Sequence, residues 1–171
     1  MKYSKQATVA YAGALGKEEC LEPLNDFIIR EGYSEGDLGF AADDELIDMD
    51  CVEHLIASYE RRSPLKSMDS SFIADNDEVV FMEFRFNYQN LKNLDRQKLI
   101  DKVKGSTTAL NNPTNLHKKY YFIFNSNLKQ QAISRLNRMN PMIPQNYIAV
   151  DMRDVMDLFF SPETHSTHPS S

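Results

Sequence analysis

The sequence predicts an α+β domain in which N-terminal helices precede a mixed central sheet that is flanked by helices. Apolar residues follow a helical period up to about residue 62, and strand-like and helix-like segments then alternate in the order β-β-α-β-α-β-α. We therefore expect one domain over residues 1–160, with a helical lead-in over 1–40, an α/β core over 43–160 and a polar tail over 161–171.

Three helices are predicted before the sheet. Residues 3–15 and 17–31 carry apolar side chains at helical spacing, and each segment ends before a glycine. Residues 32–40 contain three of the six glycines and are predicted to form a loop. The third helix, over 43–62, has an apolar stripe, acidic residues near its start and arginines near its end, and Pro64 closes it.

The sheet is predicted to begin with a hairpin. Residues 67–74 and 78–87 have the composition of strands and are joined by the turn-forming triplet Asp75-Asn76-Asp77. In the second strand the side chains alternate, so that Glu83 and Arg85 share one face. The remaining predicted elements are a helix over 95–110, a strand over 119–125, a helix over 127–139, a strand over 146–150 and a helix over 152–159.

Composition narrows the class of protein. No apolar run reaches the ~20 residues that a membrane span needs, and the first residues lack a secretory signal pattern, so we expect a soluble cytoplasmic chain without a membrane partner. Cys20 and Cys51 are too few for a disulfide framework or a zinc site of four thiolates. They are expected to be free thiols in a reducing cytoplasm.

The charge is divided unevenly along the chain. The net charge of −6 argues against a dedicated nucleic-acid-binding protein. Residues 1–60 hold 4 Lys and Arg against 14 Asp and Glu, a balance of −10, whereas residues 61–171 hold 15 against 11, a balance of +4. The two halves therefore suggest different partners.

The predicted hairpin brings a set of charged side chains together. Asp69 precedes Glu83 by 14 residues, so the two carboxylates approach each other at one end of the hairpin, with Arg85 on the same face as Glu83. Two carboxylates and a cation are the groups that a Mg²⁺-dependent phosphodiester hydrolase needs.

These residues resemble the core of the PD-(D/E)xK nuclease superfamily. In that family a helix precedes a strand bearing Asp, the next strand carries (Asp/Glu)-x-Lys, and a helix and a strand follow. Met68-Asp69 occupies the position of Pro-Asp, and Glu83-Phe84-Arg85 that of Glu-x-Lys, within a resemblance that spans about residues 43–125. It implies Asp69 and Glu83 as metal ligands and Asp69, Glu83 and Arg85 as the catalytic set.

The sequence also departs from the family pattern. Proline is absent before Asp69, one strand of the usual three-strand meander is not evident, and the lysine is replaced by Arg85. An arginine stays protonated and cannot accept a proton as a lysine can. Two interpretations follow: an active site in which a displaced lysine substitutes, with Lys66, Lys98 and Lys102 as candidates, or a degenerate, inactive site held as a cross-strand ion pair.

Acidic residues are concentrated between Glu35 and Glu53, where there is no Lys or Arg. Such a run is either a solvated helix face or a docking surface for a basic protein. The second interpretation matches the logic of bacterial immunity proteins, which cover basic toxin nucleases. The residues predicted to bind the toxin are Asp43, Asp44, Glu45, Asp48, Asp50 and Glu53.

Three histidines and one group of cations are further candidate functional residues. His54 is expected on a helix surface, and His165 and His168 in a solvated tail. A group of cations near one helix is expected either to contact phosphates or to pair with the acidic helix. This group comprises Lys92, Arg96, Lys98, Lys102 and Lys104.

The sequence favours a binding protein over an enzyme. The expected function is that of an immunity-type protein of bacterial competition and contact-dependent growth inhibition, which neutralises a cognate basic toxin domain, a nuclease, in the cytoplasm of the producing cell without a cofactor. The alternative is a Mg²⁺-dependent nuclease of the PD-(D/E)xK type that cleaves DNA or RNA.

Overall fold

The computed structural model describes residues 1–161, which form helices and strands around one sheet. Short 3₁₀ turns occupy Glu18–Cys20 and Ser126–Leu128, and a π-helical turn over Met156–Phe160 extends the last helix. The elements in chain order are α1 (Lys5–Ala14), β1 (Leu21–Pro23), α2 (Leu24–Arg30), β2 (Glu45–Asp48), α3 (Met49–Glu60), β3 (Ser70–Ile73), β4 (Val79–Arg85), α4 (Arg96–Ala109), β5 (Tyr120–Phe124), α5 (Lys129–Asn137), β6 (Tyr147–Val150) and α6 (Met152–Val155).

The six strands form one mixed sheet whose spatial order is the chain order, β1-β2-β3-β4-β5-β6. β1 to β4 pair antiparallel, and β4, β5 and β6 run parallel to one another. The parallel pairs are connected through α4 and α5, as a parallel crossover requires. The predicted α+β fold class is confirmed.

Helices cover both faces of the sheet. α1, α3, α4 and α5 pack with one hydrophobic cluster that includes Phe81 and Phe122 of the sheet. α2, residues 33–40 and α6 pack with a second cluster on the opposite face, where Phe72 and Phe84 lie. The alternation predicted for β4 therefore determines which cluster each of its side chains joins.

Part of the third predicted helix is a strand. Residues 45–48 pair with β1 and β3, and the helix begins only at Met49. Leu46 and Ile47 are both fully buried on opposite faces of the sheet, which extended backbone permits and one helix face does not. Asp48 fixes the boundary because its Oδ1 accepts a hydrogen bond from Cys51 N at 3.0 Å.

The second predicted helix is also shorter than expected. Glu18–Cys20 form a 3₁₀ turn, Leu21–Pro23 form the edge strand β1, and α2 begins at Leu24. The other predicted strands and helices are confirmed with shifted ends. Residues 162–171 of the predicted tail, with His165 and His168, lie outside the described residues. Among residues 1–161 no helix is long and apolar enough to cross a membrane.

The two cysteines are joined in a disulfide, so the prediction of free thiols is wrong. Cys20 directly precedes β1, and Cys51 lies in the first turn of α3, after the paired strand β2. This pairing brings the two Cα atoms to 5.6 Å, a separation that suits a disulfide.

Candidate functional site

The hairpin places Asp69 and Glu83 side by side. Ser70 pairs with Met82, so the residue before β3 lies beside the middle of β4. Asp69 N donates a hydrogen bond to Glu83 Oε2 at 3.1 Å, and Phe84 N donates one to Asp69 Oδ2 at 2.7 Å. Each carboxylate is therefore held by a backbone N–H group of the opposite segment of the hairpin.

Two cations complete this cluster, which we call the charged cluster and define as Asp69, Glu83, Arg85 and Lys102. Glu83 Oε1 lies 3.0 Å from Arg85 Nη2 and 2.9 Å from Lys102 Nζ. Lys102 Nζ also lies 3.9 Å from Asp69 Oδ1. The structure thus selects Lys102 among the three lysines considered as substitutes.

The other two lysines lie elsewhere. Lys66 Nζ is 3.9 Å from Asp101 Oδ2 and half-exposed. Lys98 is exposed near the start of α4 and lines a surface cavity. Because Lys102 is four residues after Lys98, it lies one turn further along the helix, where α4 contacts the segment before β3.

The position of Lys102 depends on a close approach between α4 and residues 65–69. A Cβ on Gly105 would lie 1.8 Å from Lys66 O, so a glycine is required there. Ser106 Oγ accepts a hydrogen bond from Met68 N at 2.7 Å, and Lys102 Nζ donates one to Ser67 O at 2.9 Å. No sequence pattern marks Gly105, Ser106 or Ser67, because their roles arise from a contact between distant segments.

Burial dominates the electrostatics of the cluster. Burial, and after it the negative charge of Asp69, raises the pKa of Glu83, while Lys102 and Arg85 act in the opposite direction. Burial also raises the pKa of Asp69, against the effect of Lys102 and of the Phe84 N–H group. The formal charges of the two acids and the two cations sum to zero, and such pairing offsets the cost of burying charged groups.

The family resemblance implies Mg²⁺ at the charged cluster. Mg²⁺ requires oxygen ligands in octahedral geometry. Both oxygens of Glu83 and one of Asp69 already accept contacts from protein N–H or ammonium groups. The residues as arranged do not fit the ion, since it would have to displace Lys102 and Arg85. Within residues 1–161 no three or more Asp, Glu, His or Cys side chains are grouped to hold a metal.

Glu53 does not belong to a docking surface, contrary to the prediction. Its side chain is 1% exposed and forms an ion pair with Arg62 Nη1. Leu65 N donates a further hydrogen bond to Glu53 Oε1 at 2.9 Å. Glu53 therefore anchors the chain that follows α3 and is inaccessible to a partner.

Two other predicted acids lie at the start of α3. Asp48 caps the helix, and its Oδ2 lies 3.4 Å from Arg30 Nη2. Asp50 is exposed, and its Oδ1 accepts a hydrogen bond from Ser67 Oγ. Asp50 thus links the start of α3 to the segment that precedes Asp69 of the charged cluster.

The remaining predicted acids lie at the opposite end of β2. Asp43 is exposed and 2.6 Å from Lys5 Nζ, and Asp44 accepts a hydrogen bond from Ala41 N at 3.2 Å. Glu45 is half-buried, and its backbone exchanges two hydrogen bonds of 2.8 Å with Tyr3 Oη. The acidic segment is therefore divided between the two ends of a short strand, about 10 Å apart at strand spacing.

His117, which no sequence motif marks, has both ring nitrogens within hydrogen-bonding distance of other side chains. His117 Nδ1 lies 2.6 Å from Glu78 Oε2, and its Nε2 lies 3.1 Å from Tyr121 Oη. His54 is exposed, with Nδ1 2.7 Å from Asp50 O. The hydrogen bonds of His117 tie the β3–β4 turn to β5.

Comparison with protein-family models, curated proteins and solved structures finds no match for this chain. The resemblance to the PD-(D/E)xK superfamily therefore stays a prediction. One strand of a three-strand meander was not evident from the sequence. In the structure β2 pairs antiparallel with β3, so β2, β3 and β4 are adjacent antiparallel strands, and α3 lies between β2 and β3 in the chain.

Proposed function

We propose that the chain is an immunity-type binding protein, which neutralises a basic toxin domain through its acidic segment. The observation that carries the proposal is the shortage of cations around that segment. Of seven acids from residue 35 to residue 50, only Asp43 and Asp48 form an ion pair with another described residue. The seven are Glu35, Asp37, Asp43, Asp44, Glu45, Asp48 and Asp50.

An acidic surface of this kind suits a basic partner. Uncompensated carboxylates attract a positively charged protein over a distance set by ionic strength, and they accelerate its association. A nuclease domain is a fitting partner, because the surface that contacts phosphates is basic. The proposed site of action is the cytoplasm of the producing cell, where the toxin would reach nucleic acid.

The charged cluster supports binding over catalysis. Glu83 is contacted by two cations within 3.0 Å, and its side chain is 3% exposed. A carboxylate engaged in this way stabilises the contact between β4 and α4, and no substrate reaches it without a rearrangement. On this proposal the cluster is a structural ion-pair network.

The test is a titration, at several salt concentrations, with any basic toxin domain that the genes neighbouring this one encode. We expect tight binding that weakens with salt, and an association rate about 10-fold lower for D44N/E45Q, which neutralises two acids that form no ion pair with a described residue. The matched control is E18Q/E19Q, which removes two exposed negative charges in a different segment. Absence of binding contradicts the proposal, and an equal effect of the two variants contradicts the assigned surface.

A Mg²⁺-dependent nuclease is the second candidate. It is favoured by one observation, that Lys102 Nζ lies 2.9 Å from Glu83 and 3.9 Å from Asp69. A lysine beside an acidic pair supplies the ammonium group that Arg85 does not replace. In this candidate Lys102 and Arg85 must release Glu83 before any ion binds.

Purified protein incubated with plasmid DNA or tRNA and Mg²⁺ distinguishes the candidates. Cleavage that is lost in both E83Q and K102M, and retained in K104M, would establish the nuclease. Lys104 is an exposed lysine of the same helix, so K104M controls for the loss of a charge. Cleavage that survives E83Q belongs to a contaminant.

A further inference from the structure

Two neighbouring cavities lie on the surface formed by α5 and the residues around the start of α4. The first has a volume of ≈ 810 Å³ and the second ≈ 690 Å³, and both are lined by Lys92 and Arg135. Because they share these walls, they form one depression, which we call the basic concavity. Its cations are Lys92, Arg96, Lys98, Arg135 and Arg138.

The charge of the basic concavity is uncompensated. Across residues 1–161, none of its five cations forms an ion pair with an acid. Among its described lining residues the single acid is Asp95, and Asp95 Oδ1 accepts a hydrogen bond from Lys98 N as the cap of α4. The cations therefore face solvent as a group, although the whole chain carries −6.

Two of the arginines are held in place by backbone carbonyl groups. Arg96 Nε donates a hydrogen bond to Met142 O at 3.1 Å, and Arg135 Nη2 donates one to Leu94 O at 3.4 Å. Each bond uses one of the five N–H groups of a guanidinium, and the others stay available. A pre-positioned arginine loses less conformational freedom when an anion binds.

The rest of the lining indicates what kind of anion fits. The uncharged polar side chains are amides and one hydroxyl, which suit phosphate and sugar oxygens. No aromatic residue is among the described lining residues, so nothing there stacks on bases. These polar residues are Asn90, Asn93, Gln130, Gln131, Ser134 and Asn140.

We propose that the basic concavity binds the sugar–phosphate backbone of nucleic acid without sequence preference. A run of phosphodiesters matches a continuous group of cations, and release of counterions drives such binding. This inference goes beyond the proposed function, because it concerns a different surface and a partner of opposite charge. It predicts that the chain brings its toxin-binding surface and a nucleic acid together.

Fluorescence anisotropy with labelled 20-base-pair DNA and RNA duplexes, in EDTA and at several salt concentrations, tests the proposal. We expect binding at 50 mM salt to duplexes of unrelated sequence, with a slope of log affinity against log salt near −4, about 0.9 for each cation engaged. K92E/R138E should weaken binding at least 10-fold and reduce the slope by about 2. Both residues are exposed and outside the charged cluster.

The matched control is K118E/K119E, which changes the net charge equally through exposed lysines outside the basic concavity. An equal loss in the control, or no binding by the wild-type chain, overturns the proposal. Competition by poly-glutamate as effective as by duplex of the same charge also overturns it and assigns the surface to an acidic protein. Because EDTA prevents metal-dependent cleavage, these outcomes are independent of the nuclease candidate, and the toxin titration is independent of both.

Discussion

A Cβ atom on Gly105 would lie 1.8 Å from the carbonyl oxygen of Lys66. This relationship sets how closely α4 approaches the segment before β3. G105A is therefore expected to destabilise the fold by about 1–3 kcal/mol, because backbone must move to admit the methyl group. Urea unfolding measures this loss.

Gly13 provides the control for that substitution. It also lies in a helix, but its nearest neighbour would be 3.6 Å from an added Cβ, an ordinary contact. G13A should leave the free energy of unfolding unchanged or increase it by up to about 1 kcal/mol, since alanine favours helix. Equal effects of the two substitutions would show that the approach at Gly105 is not tight.

Ser106 holds Met68 through a single hydrogen bond. In S106A the Met68 N–H group, which donates to Ser106 Oγ at 2.7 Å, loses its partner in a fully buried position. An unsatisfied buried donor costs about 1–3 kcal/mol. A lower thermal unfolding temperature and faster hydrogen exchange at the Met68 amide would report this loss. The control is T108A, which changes an exposed residue of the same helix.

Arg62 compensates the buried carboxylate of Glu53. R62A leaves this carboxylate with the Leu65 N–H group as its remaining described partner. We expect the free energy of unfolding to fall by about 1–3 kcal/mol. This is less than the about 3–5 kcal/mol typical of a broken buried pair, because Arg62 is 30% exposed. R153A, which removes an exposed arginine, should change stability by less than about 0.5 kcal/mol. If R62A behaves the same way, the pair contributes little to stability.

Reduction of the Cys20–Cys51 disulfide should lower stability. The bond closes a loop with a sequence separation of 31 residues, for which chain entropy predicts about 3–4 kcal/mol. A reducing agent should shift unfolding of the wild type to lower denaturant, and it should have no effect on C20S/C51S. Disulfides persist mainly in oxidising compartments, so alkylation of the chain in intact cells shows which form exists at the proposed site of action.

Alkaline pH should destabilise the fold through Tyr147. Burial, with a smaller effect of Tyr120, raises the pKa of Tyr147 to about 12 from a usual value of 10.0. As the pH rises, Tyr147 therefore ionises in the unfolded chain before it does in the folded one. The stability that its neutral form contributes is complete below pH 10 and is lost as the pH rises from 10 to 12. Y147F should lose less stability than the wild type over this interval, in denaturant titrations at each pH, and parallel curves would contradict the assignment.

The sequence was informative where local pattern and packing agree. The hairpin followed from two segments of strand composition joined by a turn-forming triplet, and it correctly brought Asp69 to Glu83. β1 and β2 were missed because each has at most four residues, and the apolar pair Leu46-Ile47 suits a helix as well as a strand. Their pairing with distant strands decides the conformation.

Long-range contacts explain what the sequence left open at the charged cluster. Three lysines were equivalent candidates until Gly105 and Ser106 determined how α4 docks and which lysine reaches Glu83. The burial of Glu53 was likewise invisible, because its partner Arg62 follows a left-handed residue that ends α3. The disulfide depends on the same kind of tertiary pairing.

The sheet has a consequence for how the chain is made. Because the strands are ordered in space as they are in sequence, each strand emerging from a ribosome meets an edge formed by the strand synthesised before it. The pair Asp69 and Glu83 is assembled as soon as β4 joins β3, but Lys102 belongs to a helix that is translated later. A nascent chain stalled before α4 would hold Asp69 and Glu83 beside each other with Arg85 as the single cation of the charged cluster. The synthesis of α4 then adds Lys102 and completes the cluster.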